Sequence, residues 1–206
     1  FDYFDNITVE ELEDFNSIGE QAFKALEETG KYMLRAMALY LGIDEFYFDS
    51  EIQYGNSILR PIHYPPIIEE PPVGAVRAGE HEDINLITLL MGASAGGLEV
   101  LTKDQKWVGV TSLKEHLVVN VGDMLQRLTN NKFKSTTHRV VNPPRSEWSS
   151  PRYSIPFFLH PKSSTRLDCL ASCIDSNHPK QYDDISAGEY LRERLLEIGL
   201  LNNDSK

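Results

Sequence analysis

Between residues 56 and 160 the chain runs through a series of short stretches rich in valine, isoleucine, threonine and aromatic residues. They span 57–64, 76–91, 98–102, 106–111, 116–121, 133–141 and 153–160, with turn residues between them. Pro65 and Pro66 must end the first. Asp104-Gln105 and Asn130-Asn131 read as turns, and 123–128 as a short helical turn. Strands do not alternate with helices of crossover length, so a parallel sheet is not expected. Many short strands at this spacing predict a β-sandwich or barrel.

Helices flank this core on both sides. Thr8 with Glu11, and Ser17 with Glu20, fit capping boxes. Ile18, Ala22, Leu26, Met33, Met37 and Leu41 recur at helical spacing, Gly30 interrupts them, and Gly42 supplies a stop. Met33 and Met37 could line a dimer face, but packing on the β core is the expected use. Near the end, Ser186 and Glu189 form another capping box, Leu191, Leu195 and Ile198 line one helix side, and Gly199 closes it. The 206 residues therefore read as one domain: a helical flank (1–55), a β core (56–163) and a C-terminal segment with a helix (164–206). The abrupt start at Phe1 points to a segment upstream.

The net charge of −11 opposes binding to nucleic-acid phosphate or anionic lipid. No apolar run approaches membrane length. Cys169 and Cys173 read as free thiols, which suits a reducing, cytoplasmic setting. A small-molecule partner fits these limits; oligomeric state is not encoded legibly.

Three residues then suggest a metal: His81, Asp83 and His138. Two histidines and one carboxylate are the set that holds mononuclear Fe(II) on one face and leaves other positions open. On a strand, His81 and Asp83 project together and Glu82 turns away; His138 shares a face with Thr136 and Val140. The lack of cysteine nearby argues against copper–thiolate or structural zinc. Downstream, Arg152 and Ser154 stand two apart on a strand, offering a planar fork and a hydroxyl to a carboxylate. Alone, each motif is common; the ordered set is what carries the chemistry. Trp107 is expected in the core, and His63, His116, His160 and His178 as structural or surface residues.

The stretches LRPIHYPP (59–66), GEHEDINLITLL (79–90), GGLEV (96–100), VNVGD (119–123), FKSTTHRVV (133–141) and RYSIPFF (152–158) carry a resemblance. In this order they resemble the Fe(II)- and 2-oxoglutarate-dependent dioxygenases, in the branch that contains isopenicillin N synthase. The resemblance implies a mainly β double-stranded β-helix (jelly roll) with flanking α-helices. It implies Fe(II) held by His81, Asp83 and His138, with O2 and 2-oxoglutarate as cosubstrates. Arg152 and Ser154 match the pair that grips the distal carboxylate of 2-oxoglutarate, and Tyr64 matches a tyrosine that helps; the asparagine common two residues before it is Ile62 here. Phe158 shares the strand face of Arg152 and Ser154, and Arg60 that of Tyr64, so both are candidates for substrate contact.

The implied activity is oxidation of a small organic substrate, hydroxylation foremost, with release of succinate and CO2. Two alternatives stay open. In isopenicillin N synthase the Arg-x-Ser pair binds the substrate's own carboxylate and 2-oxoglutarate is not used. That enzyme has a glutamine near its C-terminus; here the last glutamine is Gln181 and the tail reads LLNNDSK. A non-catalytic jelly-roll binding protein is the other alternative.

Overall fold

The computed structural model describes residues 6–111, 113 and 115–202. The start at Phe1 and the last four residues of the tail, 203–206, lie outside the described residues.

One long helix, α1 (Phe15–Leu41), precedes the β core. Its buried stripe is Leu26, Gly30, Leu34, Ala38 and Leu41, with Met33 and Met37 packed beside it; Ile18, expected in the stripe, is exposed. The helix runs unbroken through Gly30, and the reason is packing. A Cβ at Gly30 would stand 2.6 Å from Leu159 Cδ2 and 3.3 Å from Leu89 Cδ1. Glycine lets the helix backbone lie close on the sheet. Gly42 closes α1 in the left-handed conformation, φ 69°.

Neither expected N-terminal capping box forms. Ser17 already lies inside α1 and donates to Asp14 O at 3.0 Å. Thr8 precedes the helix, where the Val9 amide donates instead to Asn16 Oδ1 at 3.2 Å. A short α2 (Asp49–Ile52) leads into the sheets.

The strands are β1 (Ile58–Leu59), β2 (Ile62–Tyr64), β3 (Ala78–His81), β4 (Ile87–Met91), β5 (Leu98–Leu101), β6 (Trp107–Gly109), β7 (Leu117–Val121), β8 (His138–Val140) and β9 (Arg152–Leu159). The helix α3 (Asp123–Leu128) follows β7. The larger sheet has the order β1-β9-β4-β7, with β2 also on β9; the smaller has the order β3-β8-β5-β6. All pairings are antiparallel. The fold is the mainly β double-stranded β-helix with flanking helices that the sequence implied.

Several expected strands are shorter, each for a backbone reason. Pro61 has no amide, so 57–64 splits into β1 and β2. The stretch 76–91 splits because the carbonyls of Asp83, Asn85 and Leu86 accept from the amides of Asp123 (2.8 Å), Met124 (3.1 Å) and Gly122 (3.0 Å). Those carbonyls are unavailable to a ladder. The stretch 133–141 contracts to β8, since the Ser135 amide donates to Gln126 Oε1 and the Thr136 amide to Val121 O.

The C-terminal half of β9 is covered on both sides. Phe157 meets Phe23 of α1 edge-on, ring centroids 5.0 Å apart, and Leu159 meets Gly30. Arg152, Ser154, Pro156 and Phe158 line a cavity between the two sheets. At the chain end, α4 (Ala187–Glu197) begins with the expected box: Ser186 Oγ accepts from the Glu189 amide, and the Glu189 carboxylate accepts from the Ser186 amide. Trp107 is not in the core. It is half-buried on β6, under the Arg139 guanidinium at 4.0 Å from the ring centroid.

Candidate metal centre and anion pocket

His81 is the last residue of β3 and pairs with His138, the first of β8. This register sets the two imidazoles side by side, centroids 4.3 Å apart. Asp83 is not on the strand, so same-face alternation does not place it. The loop that carries it is held by the amides at the start of α3. A Cβ at Gly122 would lie 2.2 Å from Asn85 Oδ1 and 2.8 Å from Asp83 O, so only glycine allows this approach.

One donor atom from each of His81, Asp83 and His138 falls within 4.8 Å of the others. His81 Nδ1 lies 2.8 Å from Gly79 O, and His138 Nδ1 lies 2.8 Å from Thr136 O. A carbonyl can only accept, so each Nδ1 bears the proton and each Nε2 presents a lone pair. Those Nε2 atoms lie 3.9 Å and 3.8 Å from Asp83 Oδ1. Asp83 Oδ2 is already occupied: Thr88 Oγ1 donates to it at 2.6 Å and Asn120 Nδ2 at 2.9 Å. Asn85 Nδ2 in turn donates to Thr88 Oγ1 at 2.8 Å. One carboxylate oxygen is thus fixed by the protein and the other is left for a ligand shared with two imidazoles. Such outer partners orient metal ligands and fix their tautomer. The donor set suits a first-row divalent ion with open positions. Asp83 is buried and His81 exposed, so the cluster sits at the cavity mouth.

Sequence reasoning missed Thr88, Asn85 and Asn120. A signal existed for two of them, since Thr88 and Asn120 are single polar residues within the apolar runs ITLL and VVNV.

The cavity measures about 150 Å³ and is lined by both sheets. Leu90, Leu98, Val100 and Val118 make its walls apolar. Arg152 is 1% exposed, so its charge is carried almost wholly inside the protein. Its Nε donates to Ala95 O at 3.3 Å, and its buried Nη1 has no partner. Burial pulls the guanidinium below its usual range, Tyr64 opposes this, and Arg77 adds to it. Ser154 is buried two residues on, and Tyr64 lies beside Arg152, whose Cζ is 5.1 Å from its ring centroid. A buried guanidinium with an unfilled donor next to a hydroxyl is chemically suited to a carboxylate. Arg60 and Phe158 also line the cavity, with the Arg60 guanidinium 4.7 Å from the Phe158 ring centroid.

The remaining histidines lie elsewhere. His63 stacks on Tyr153 at 4.8 Å, and exposed His178 faces Asp175 at 3.1 Å. His160 is buried, and burial pushes it down to about 4, with Asp83 pulling the other way. Cys169 and Cys173 are free thiols. No described helix is long and apolar enough to cross a membrane.

Residues 55–161 match the model of the 2OG-Fe(II) oxygenase superfamily. A 2OG-Fe(II) oxygenase family protein of Caulobacter crescentus is 45% identical with a TM-score of 0.87, covering 94% of this chain and 63% of that one. A full-length Neurospora crassa protein crystallised in complex with alpha-KG is 37% identical with a TM-score of 0.84, covering 91% and 59%; it has also been crystallised with thymine. A 2-oxoglutarate-Fe(II) type oxidoreductase of Metarhizium majus is 34% identical over 192 residues, covering 89% of this chain and 50% of its own length. The chain spans about half the length of the curated relatives it matches.

Proposed function

Because the chain belongs to the 2OG-Fe(II) oxygenase superfamily, we propose that it oxidises a small organic substrate, by hydroxylation, at the His81–Asp83–His138 cluster. One O2 and one 2-oxoglutarate are consumed with the substrate, and hydroxylated product, succinate and CO2 are released. His81 and His138 hold Fe(II) through Nε2 and Asp83 through Oδ1. When bound, the metal supplies oxygen activation at its open positions.

The chain's own residues supply binding and orientation. Arg152 grips the distal carboxylate of 2-oxoglutarate with its fork, and Ser154 and Tyr64 add hydroxyls. The apolar walls exclude water, and Arg60 over Phe158 forms the wall that meets substrate. An acidic or hydrogen-bond-accepting group on the substrate suits Arg60. Within this reading 1–206 acts as one oxygenase domain, with 56–163 as its core. The acidic net charge favours a small molecule over a polyanion, and the two thiols favour the cytosol.

The observation that supports this most is the pairing of two free Nε2 atoms and one free carboxylate oxygen with an unpaired buried guanidinium in the same cavity. The test is anaerobic Fe(II) titration, then a screen of small molecules for stimulated succinate release. One Fe(II) per chain is expected, with succinate formed in step with product and both lost in His138→Ala. Product without succinate would overturn the reading in favour of an oxidase. Absence of a stoichiometric Fe(II) site would favour a binding protein.

A further inference from the structure

We propose that Arg77 is a second cation at the anion end of the cavity, and that it sets the preference for a 2-oxo acid that carries a distal carboxylate. This rests on the function proposed above and names a residue that neither the motifs nor the metal cluster required.

Arg77 directly precedes β3, and the next residue, Ala78, lines the cavity. Both terminal nitrogens of Arg77, Nη1 and Nη2, are buried and have no hydrogen-bond partner. Among the described residues Arg77 is in no ion pair. Its Cζ lies 5.7 Å from the centroid of the Tyr64 ring, the same ring that Arg152 approaches at 5.1 Å. Arg152 Nη1 is also buried without a partner.

Two guanidinium groups therefore share one tyrosine, with three unfilled donor nitrogens between them and no acid assigned to either. The arrangement is unfavourable for an empty protein. Like charges repel, and buried donors without acceptors forfeit their hydration. A structural arginine would be expected to bring its acid along. What satisfies both cations is an anion entering the cavity. A single guanidinium with Ser154 already suffices for one carboxylate. A second positive charge nearby deepens the local potential and separates acids by charge more than by shape. The acid that gains is the one whose far end is ionised; a 2-oxo acid ending in a methyl group gains nothing there.

The test measures binding without turnover. Mn(II)-loaded wild type, Arg77→Met and Arg77→Lys are titrated calorimetrically with 2-oxoglutarate and with 2-oxovalerate, which keeps the metal-binding end and lacks the distal carboxylate. Thermal midpoints are recorded without ligand. Arg77→Met is expected to weaken 2-oxoglutarate on the order of tenfold, to leave 2-oxovalerate and Mn(II) affinity unchanged, and to hold or raise the thermal midpoint of the empty protein. Arg77→Lys should recover part of the loss. Equal weakening of both acids, an unchanged 2-oxoglutarate affinity, or a fall in the thermal midpoint with losses for every ligand would overturn the proposal and make Arg77 a packing residue. Wild type that takes up Mn(II) but not 2-oxoglutarate would instead refute the proposed function, and this inference with it.

Discussion

Replacing Thr88 with valine should loosen the proposed metal site without changing its shape. Thr88 is 3% exposed, so its hydroxyl makes no use of water. It donates to Asp83 Oδ2 at 2.6 Å and accepts from Asn85 Nδ2 at 2.8 Å. Valine keeps the volume and the β-branch and deletes both bonds. A hydrogen bond to a charged group contributes about 1.5–3 kcal/mol, and a stranded buried donor costs about 1–3 kcal/mol. Asn85 can turn its amide only within the space that Gly122 leaves, so little of this is recovered. Asn120 still holds Oδ2 at 2.9 Å, so Asp83 keeps one of its two anchors. The metal-free protein should therefore lose about 2–4 kcal/mol, and divalent metal affinity should fall about 10- to 100-fold, the range seen for outer-shell partners of metal ligands. Urea unfolding of metal-free protein and calorimetric titration with Co(II) measure the two effects separately. Metal affinity within experimental error of wild type, in a variant with the expected stability loss, would refute the idea that Thr88 orients Asp83 for a ligand.

Two further outcomes follow from burial. Gly30→Ala places a Cβ 2.6 Å from Leu159 Cδ2; overpacking costs about 1–3 kcal/mol against a helix-propensity gain of about 1 kcal/mol. Urea unfolding should show a net loss, and a stabilised variant would contradict the close helix–sheet approach. His160 is held neutral, down from 6.5 to about 4. A depressed base means the unfolded chain binds the extra proton between those values. Its contribution is whole above 6.5 and is lost as pH falls toward 4, about 3 kcal/mol in all. Asp123 is raised to about 6 by burial and by Glu82, so its contribution runs the other way and is lost as pH rises through 6. The difference in unfolding free energy between wild type and His160→Asn isolates the histidine. It should change across that window, and a pH-independent difference would contradict a neutral buried imidazole.

The sequence revealed which residues the fold would bring to one cavity better than how it holds them there. His81, His138, Arg152 and Ser154 were legible because strand alternation and motif order are local properties. The place of Asp83 was not, because it depends on amides at the start of α3, about forty residues later. Arg77 left no local signal, since an arginine before a strand reads as a solvated charge until the fold covers its terminal nitrogens. Gly30 read as a helix interruption because its use is a contact with Leu89 and Leu159, far away in sequence. The α4 capping box formed as read, and the two read near the start of α1 did not, since capping patterns compete with the long-range packing that decides where α1 begins.

β9 places its odd residues, Phe157 and Leu159, against α1 and its even residues, Arg152 to Phe158, toward the cavity. Sliding this strand by a single residue would exchange the two sets at once, turning Phe157 and Leu159 toward the cavity and taking the Arg152 guanidinium out of it. The choice of register that closes the interior is therefore the same event that turns Arg152 and Ser154 into the cavity. One register thus serves two ends, the packing of the sheet on its helix and the delivery of a positive charge to the interior.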